Sequence, residues 1–238
     1  MFDSRATATE FLDRPDCDPT LAAASYRFME TVNARFGGIR IVRRFLAAET
    51  AGRHARVPLR ILDIGSGSCD IPLAVSRWAR RHGIPLHFTC LEMADPAIDI
   101  ARQRLARGGD PAVQLLQEDA FTHQPAEPYD WAMASMCFHH FSDAQILLLL
   151  RRLRGFVRRS VLINDLHRSP LASLAALLLL VGRPAGVRHD ALLSIRRGFK
   201  ISELSLLLRQ LDGVSVSVEP ARWFRLAAVV RFTPGEHS

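Results

Sequence analysis

The segment Leu62-Asp63-Ile64-Gly65-Ser66-Gly67-Ser68-Cys69-Asp70 has the residue types needed to hold a nucleotide-like ligand against main-chain atoms. Glycines at 65 and 67 let the backbone turn sharply and let a ligand approach it closely. A dinucleotide fingerprint asks for a third glycine at position 70. Asp70 stands there instead; an acid suits a helix start but repels a pyrophosphate, which points to a ligand without phosphates. Further along, an apolar run ends in Leu91-Glu92, where a carboxylate can accept from two ribose hydroxyls. Another ends ahead of Glu118-Asp119-Ala120, where an acid can accept from an adenine amino group. Any one of these acids alone would serve as a helix cap or a solvated turn. Placed at successive strand ends, they outline an adenosine pocket.

The elements that must position these residues follow from periodicity. Short apolar runs at 59–64, 86–91, 113–116, 129–134 and 160–164 predict buried strands. They alternate with helical patterns over 70–83, 96–107 and 144–157, which implies βαβ units and a parallel sheet. A helix is expected over 201–211. Val214–Val218 and Phe224–Phe232 are two further strands, joined by too few residues for a parallel crossover, so they should pair as an antiparallel hairpin. Residues 1–19 read as an irregular arm. Residues 20–49 read as helix, divided by Gly37-Gly38. The expected organisation is an N-terminal helical arm or lid over 1–55 and a main domain over 56–238, with a substrate-side insert at about 168–200.

The segment 62–70, Glu92-Met93, Glu118-Asp119-Ala120 and Tyr129-Asp130 together resemble the class I S-adenosylmethionine-dependent methyltransferases. The likeness is to the small-molecule branch with ubiquinone/menaquinone methylase-like enzymes and O-methyltransferases, and it covers 59–232. It implies a Rossmann-like, doubly wound, seven-stranded α/β sheet, mostly parallel, with N-terminal helices. It implies S-adenosyl-L-methionine as cofactor, with S-adenosyl-L-homocysteine as product. Gly65 and Gly67 would pack against the methionine part, Glu92 would hold the ribose, and Asp119 the adenine amino group, with Met93 and Ala120 flanking the ring. Asp63, Asp70 and Ser135 complete the expected cofactor-binding set.

Methyl transfer from a sulfonium is an in-line displacement, accelerated by positioning. O-methylation also benefits from a base, for which histidine is suited. His139 and His140 follow the fourth strand and His167 the fifth, with Asp165 placed to orient His167 or His140. These four are the expected catalytic residues. Arg168, His189, Arg196 and Tyr26 are the substrate-side candidates. Phe28, Asn33 and Arg35 share the N-terminal helices with Tyr26. Cys137 beside the two histidines could hint at metal, but three ligands this close fit poorly, so no metal is expected.

Composition narrows the partners. The net charge is +7. Lys200 is the sole lysine, so the charge is almost all arginine, and it is scattered. No aromatics alternate with the densest cluster, Arg151 to Arg159, so no nucleic-acid partner is expected. Cys17, Cys69, Cys90 and Cys137 match no zinc or disulfide template, and no leader segment is visible, which reads as a cytoplasmic protein. Leu171–Val181 is uncharged but too short to span a bilayer; it reads as a buried or lid helix, or as a greasy surface for substrate or peripheral membrane contact. The acceptor is expected to be small and hydrophobic (aromatic, polyketide or lipid-like) and the reaction O-methylation. C-methylation of a quinone precursor is the runner-up, and RNA- or protein-directed methylation the third reading. Monomer and homodimer are both open.

Overall fold

The computed structural model describes residues 2–14, 16–52 and 57–233. The expected division between residues 55 and 56, and Pro15 of the arm, lie outside them. The chain forms α1 (Pro19–Arg35), α2 (Gly38–Thr50), β1 (Leu59–Ile64), α3 (Asp70–Arg81), β2 (Leu86–Glu92), α4 (Asp95–Gly108), β3 (Val113–Gln117), β4 (Tyr129–Ser135), α5 (Asp143–Leu153), β5 (Val157–Leu166), α6 (Pro170–Leu179), α7 (Ala185–Arg197), α8 (Ile201–Leu208), β6 (Val214–Ala221) and β7 (Arg225–Phe232). The sheet order is β3-β2-β1-β4-β5-β7-β6. The first five strands in space are parallel, and β7 runs antiparallel to both β5 and β6. The Rossmann-like fold with its antiparallel closing hairpin is therefore as the sequence led one to expect.

Local chemistry explains the boundaries. Asp18 Oδ1 accepts from the Thr20 and Leu21 N–H groups, and Pro19 opens α1; together they satisfy and pre-set a helix start. Ser142 and Gln145 form a reciprocal capping box at α5. Trp223 and Phe224, at φ +63° and +57°, make the tight turn of the β6–β7 hairpin, the backbone shape that matches strand twist.

The sheet is covered on both faces. On one, Leu149, Leu150 and Leu153 of α5 and Leu204 and Leu208 of α8 bury against alternate residues of β1, β4 and β5. On the other, Val42 and Leu46 of α2 and Val75 and Ala79 of α3 meet Ile61, Phe88 and Trp131. Thus α2 packs into the core of the main domain, and α1 lies over the loop after β1.

Three expectations are corrected. The helix expected over 144–157 ends at Leu153, because Arg154-Gly155-Phe156 turns into a β5 longer than expected. The helix expected over 201–211 ends at Leu208. The stretch 182–199, for which no element was expected, is mostly helix, with Pro184 as its N-cap. The apolar run is not a buried helix. Leu171, Leu174 and Leu178 are 66%, 61% and 78% exposed, and within α6 only Ala172 is buried. Among the described residues, no helix is long and apolar enough to cross a membrane.

Candidate cofactor and acceptor sites

The loop after β1 is built on left-handed backbone. Gly65 and Gly67 have φ +64° and +53°, and Cys69, at the N-cap of α3, has +56°. The Ser66 N–H donates to the Leu91 carbonyl at 3.0 Å, which pins the loop to β2. Glu92 completes the clamp. Its Oε2 accepts from the Gly67 N–H at 2.8 Å, and its Oε1 from the N–H groups of Met93 and Ala94. A β-carbon on Gly67 would sit 3.5 Å from Tyr26 Cε1, so α1 roofs the loop. Burial, then the nearby Glu92, pushes the Tyr26 phenol well up.

Asp63 is 2% exposed and its Oδ1 has no partner among the described residues. Burial, with Asp70 and Glu92 nearby, pushes its carboxyl up to about 8. An orphaned acidic oxygen beneath a glycine loop is suited to a cationic ligand group. The methionine ammonium of S-adenosylmethionine is such a group, so the residues present fit this cofactor. After β3, Glu118 is engaged with His123, Oε2 to Nδ1 at 2.6 Å. Asp119 uses Oδ1 to accept from the Phe121 N–H, leaving Oδ2 for a ligand. Met93, 60% exposed, stands at the rim, and Ala120 packs at the edge of the core.

A polar chain ties this loop to the rest of the site. Asp70 accepts from Asn33 Nδ2 at 3.1 Å, and Asn33 Oδ1 accepts from Arg225 Nη2 at 2.9 Å. Arg225 Nη1 donates to Asn164 Oδ1, and Asn164 Nδ2 donates to Ser135 Oγ. Arg225 is fully buried, and burial pulls its guanidinium down to about 10. Replacing Arg225 by methionine would leave two buried amide oxygens without donors. A loss of roughly 2–4 kcal/mol in urea unfolding is expected; a loss under ~1 kcal/mol would show that the amides re-pair.

The catalytic candidates separate. A short 3₁₀ turn, Phe138–His140, folds His139 back over the end of β5. There His139 Nδ1 lies 2.7 Å from Asp165 Oδ1, and Asp165 Oδ2 accepts from the His139 N–H. Burial acts against the Asp165 carboxylate, but His139 and these N–H bonds hold it below the usual range. Asp165 therefore orients His139 and neither His140 nor His167, correcting the sequence expectation. His139 is 2% exposed, and its Nε2 has no hydrogen-bond partner among the described residues. His140 Nδ1 meets Asp13 Oδ2 at 3.0 Å. The His167 ring makes no hydrogen bond among the described residues; burial and the adjacent Arg168 lower its pKa.

Arg168 is not on the substrate side. It is 1% exposed and spends its guanidinium on Phe2 O, Gly198 O and Glu203. His189 stacks on Phe11 at 4.5 Å and pairs with Asp190, whose carboxylate accepts from Phe11 and Leu12 N–H, so it fastens the arm. Arg196 is half-buried on α7 and its carbonyl accepts from Ala6 N–H. Phe28 lies under Arg183 and Arg35 is exposed. Glu10, Asp13, Arg5 and Arg197, all missed in the sequence, crowd around the histidine pair. Arg5 Nη2 donates to the His139 and Phe141 carbonyls, and Arg197 to those of His139 and His140. A lone charge opening the apolar run Arg225-Leu-Ala-Ala-Val-Val was the available signal for Arg225.

A family described as Methyltransferase domain matches residues 61–160. No curated protein matches. Among solved structures, the plantazolicin methyltransferase BpumL, in complex with a triazolic desmethylPZN analog and SAH, is similar at 16% identity over 94% of this chain and 93% of that one, TM-score 0.70. The magnesium protoporphyrin IX methyltransferase of Synechocystis PCC 6803, with bound SAH, is similar at 14% identity over 82% and 81%, TM-score 0.54. The S-adenosylmethionine-dependent methyltransferase SibL shares 19% identity over 98% of this chain and 64% of that one, TM-score 0.62. Residues 61–160 thus match a methyltransferase domain, and the solved structures show that the chain as a whole shares the fold of these enzymes. The domain match spans the loop at 62–70, Glu92, Asp119 and the histidine pair.

Proposed function

We propose that the chain methylates a hydroxyl of a small, hydrophobic acceptor, and that the pair Asp165–His139 receives the acceptor's proton. The observation that carries this reading is the buried His139 Nε2, left without a hydrogen bond while Nδ1 is held by Asp165. Such pairing fixes the tautomer that leaves Nε2 able to accept a proton, and it stabilises the imidazolium that follows. Asp63, Gly65, Gly67, Glu92 and Asp119 would hold S-adenosylmethionine, which when bound would supply an electrophilic methyl group. The acceptor oxygen forms the new C–O bond, the S–C bond breaks, and the hydroxyl proton ends on His139. A cavity of about 580 Å³ lined by Arg5, His139, His140, Phe199 and Glu203 adjoins the pair and is of small-ligand size. The exposed leucines of α6 favour a greasy acceptor or a peripheral membrane contact over nucleic acid. Arg152 and Arg154, of the densest basic cluster, are spent on the His123 and Asp212 carbonyls.

The test is Asp165→Asn and His139→Gln, assayed with a panel of phenolic acceptors. Turnover should fall by roughly 10²–10⁴, the share that general-base catalysis supplies, while affinity for S-adenosylhomocysteine stays within about threefold. Turnover unchanged, or lost in step with cofactor binding, would remove the pair from the chemistry. Locating the new methyl on carbon rather than oxygen would replace O-methylation by C-methylation.

A further inference from the structure

The sequence alone spoke against metal, because Cys137, His139 and His140 are too close together. The fold changes the donor set. The N-terminal arm brings Glu10 against the histidine pair, and one donor atom each of Glu10, His139 and His140 lie within 4.8 Å of one another. Glu10 and His139 are 4% and 2% exposed, and His139 Nε2 lies 3.9 Å from Glu10 Oε1 with no hydrogen-bond partner among the described residues.

We propose that Glu10, His139 and His140 form a site for a divalent cation of the Zn²⁺ type. Two imidazoles and one carboxylate, with a fourth position left to water or the acceptor oxygen, are a donor set such ions take. What lies behind the donors supports this. A ligating histidine almost always has its other ring nitrogen held by a carboxylate, and Asp165 does this for His139. Asp13 contacts the His140 ring as well. Charge also fits. Glu10 and Asp13 share one close guanidinium, Arg197, which lies 3.7 Å from Glu10 and 3.3 Å from Asp13, while Asp165 lies in the field of Arg5 and Arg225. Arg5, the next cation, is paired with Asp143. Arg197 also donates to the carbonyls of Ala8, His139 and His140, so it can stay in place while its contact with Glu10 lengthens. Bonds of about 2.0–2.1 Å put tetrahedral donors roughly 3.4 Å apart. The cluster must therefore close by about an ångström, which the unbonded His139 edge permits.

This inference rests on the acceptor-side reading of the cluster and changes one step of it. A bound cation would occupy His139 Nε2, promote ionisation of the acceptor hydroxyl and send its proton to water, whereas the metal-free pair takes that proton on His139. The two can fail separately, because metal binding is measured without acceptor or cofactor. The full chain, stripped with a chelator, is titrated with Co²⁺ and then with Zn²⁺ in competition. Stoichiometric binding with the visible absorption of a tetrahedral nitrogen/oxygen site is expected. Glu10→Gln and His140→Ala should each weaken binding on the order of 10–100-fold, and Cys137→Ala should leave it unchanged. X-ray absorption of the Zn²⁺-loaded wild type, which does not depend on any variant folding, should show two imidazoles and no sulfur. Absence of stoichiometric binding, a thiolate charge-transfer band, or unchanged affinity in folded Glu10→Gln and His140→Ala would overturn the site. If it falls while Asp165→Asn still loses turnover, His139 acts as a free base.

Discussion

Gly65→Val should abolish cofactor binding, with S-adenosylhomocysteine affinity falling by more than about 100-fold, some 2.7 kcal/mol or more. Gly65 has φ +64°, and a β-carbon there would lie 2.6 Å from Cys137 Sγ and 3.1 Å from Cys137 Cβ. A β-branched residue is a genuine outlier at that φ. The half-buried Cys137 side chain, itself packed against the core, stands in the way. The strain must go into the loop, where it displaces the Gly67 N–H from Glu92. Steric and conformational costs can be separated. Gly65→Ala in a Cys137→Gly background removes the clash and keeps only the left-handed penalty, roughly 1–2 kcal/mol. It should recover part of the binding lost in Gly65→Ala alone. Titration calorimetry on folded protein reads both; wild-type affinity in Gly65→Val would mean that the loop does not hold the cofactor.

Asp63→Asn should stabilise the empty protein and weaken its hold on the cofactor. In the fold the Asp63 carboxyl is pushed up to about 8 by burial, against an ordinary value of 3.8. The folded chain therefore keeps a proton that the unfolded chain gives up. The stability tied to that proton is fully present below pH 4, drains away as pH rises, and is gone above about pH 8. The asparagine variant has nothing to lose over this window. Its advantage should be near zero at pH 4, grow through neutrality and level off above pH 8, at roughly 3–5 kcal/mol. Cofactor binding runs the other way, because a cationic ammonium prefers an ionised partner. Loss of that charge should cost roughly 1.5–3 kcal/mol of affinity, and wild-type affinity should rise with pH up to about 8. Urea melts at pH 5 and 8 and cofactor titrations at the same values decide it. A variant less stable at pH 8 would show that Asp63 is held by partners rather than poised for a ligand.

The donor half of the site was legible because it is local. Asp63, Gly65, Gly67 and Glu92 sit at the ends of two neighbouring strands, and apolar runs bounded by turn residues mark those ends in any order of reading. β1 falls at the very residues expected, 59–64. The acceptor half was only partly legible. His139 and Asp165 stood out as residue types, but their pairing depends on a 3₁₀ turn that no periodicity announces. Glu10 and Asp13 lie in an arm with no repeating pattern, and only tertiary contact gives them meaning. Arg168 looked like a substrate-side charge because it follows a strand end, whereas long-range carbonyls consume it. Pro184 and Gly186 hid α7, since both are breakers inside a helix and neither is one at its start.

The hairpin also sets an order of events. β7 inserts between β5 and β6, and its Arg225 reaches back 192 positions to Asn33. Glu10 and Ser194 are joined across 184 positions, while the Glu92 clamp on Gly67 spans only 25. Closing long loops is entropically dear and slow. As the chain is synthesised, the loop at 62–70 can consolidate once β2 is available, whereas the histidine side waits for α7, and the link from α1 to β5 for β7. During that interval the far edge of β5 is an unpaired strand, open to mispairing with another molecule. The side proposed to take the acceptor thus comes together well after the cofactor loop, and a chain stalled before β7 lacks the Arg225 link that ties α1 to β5.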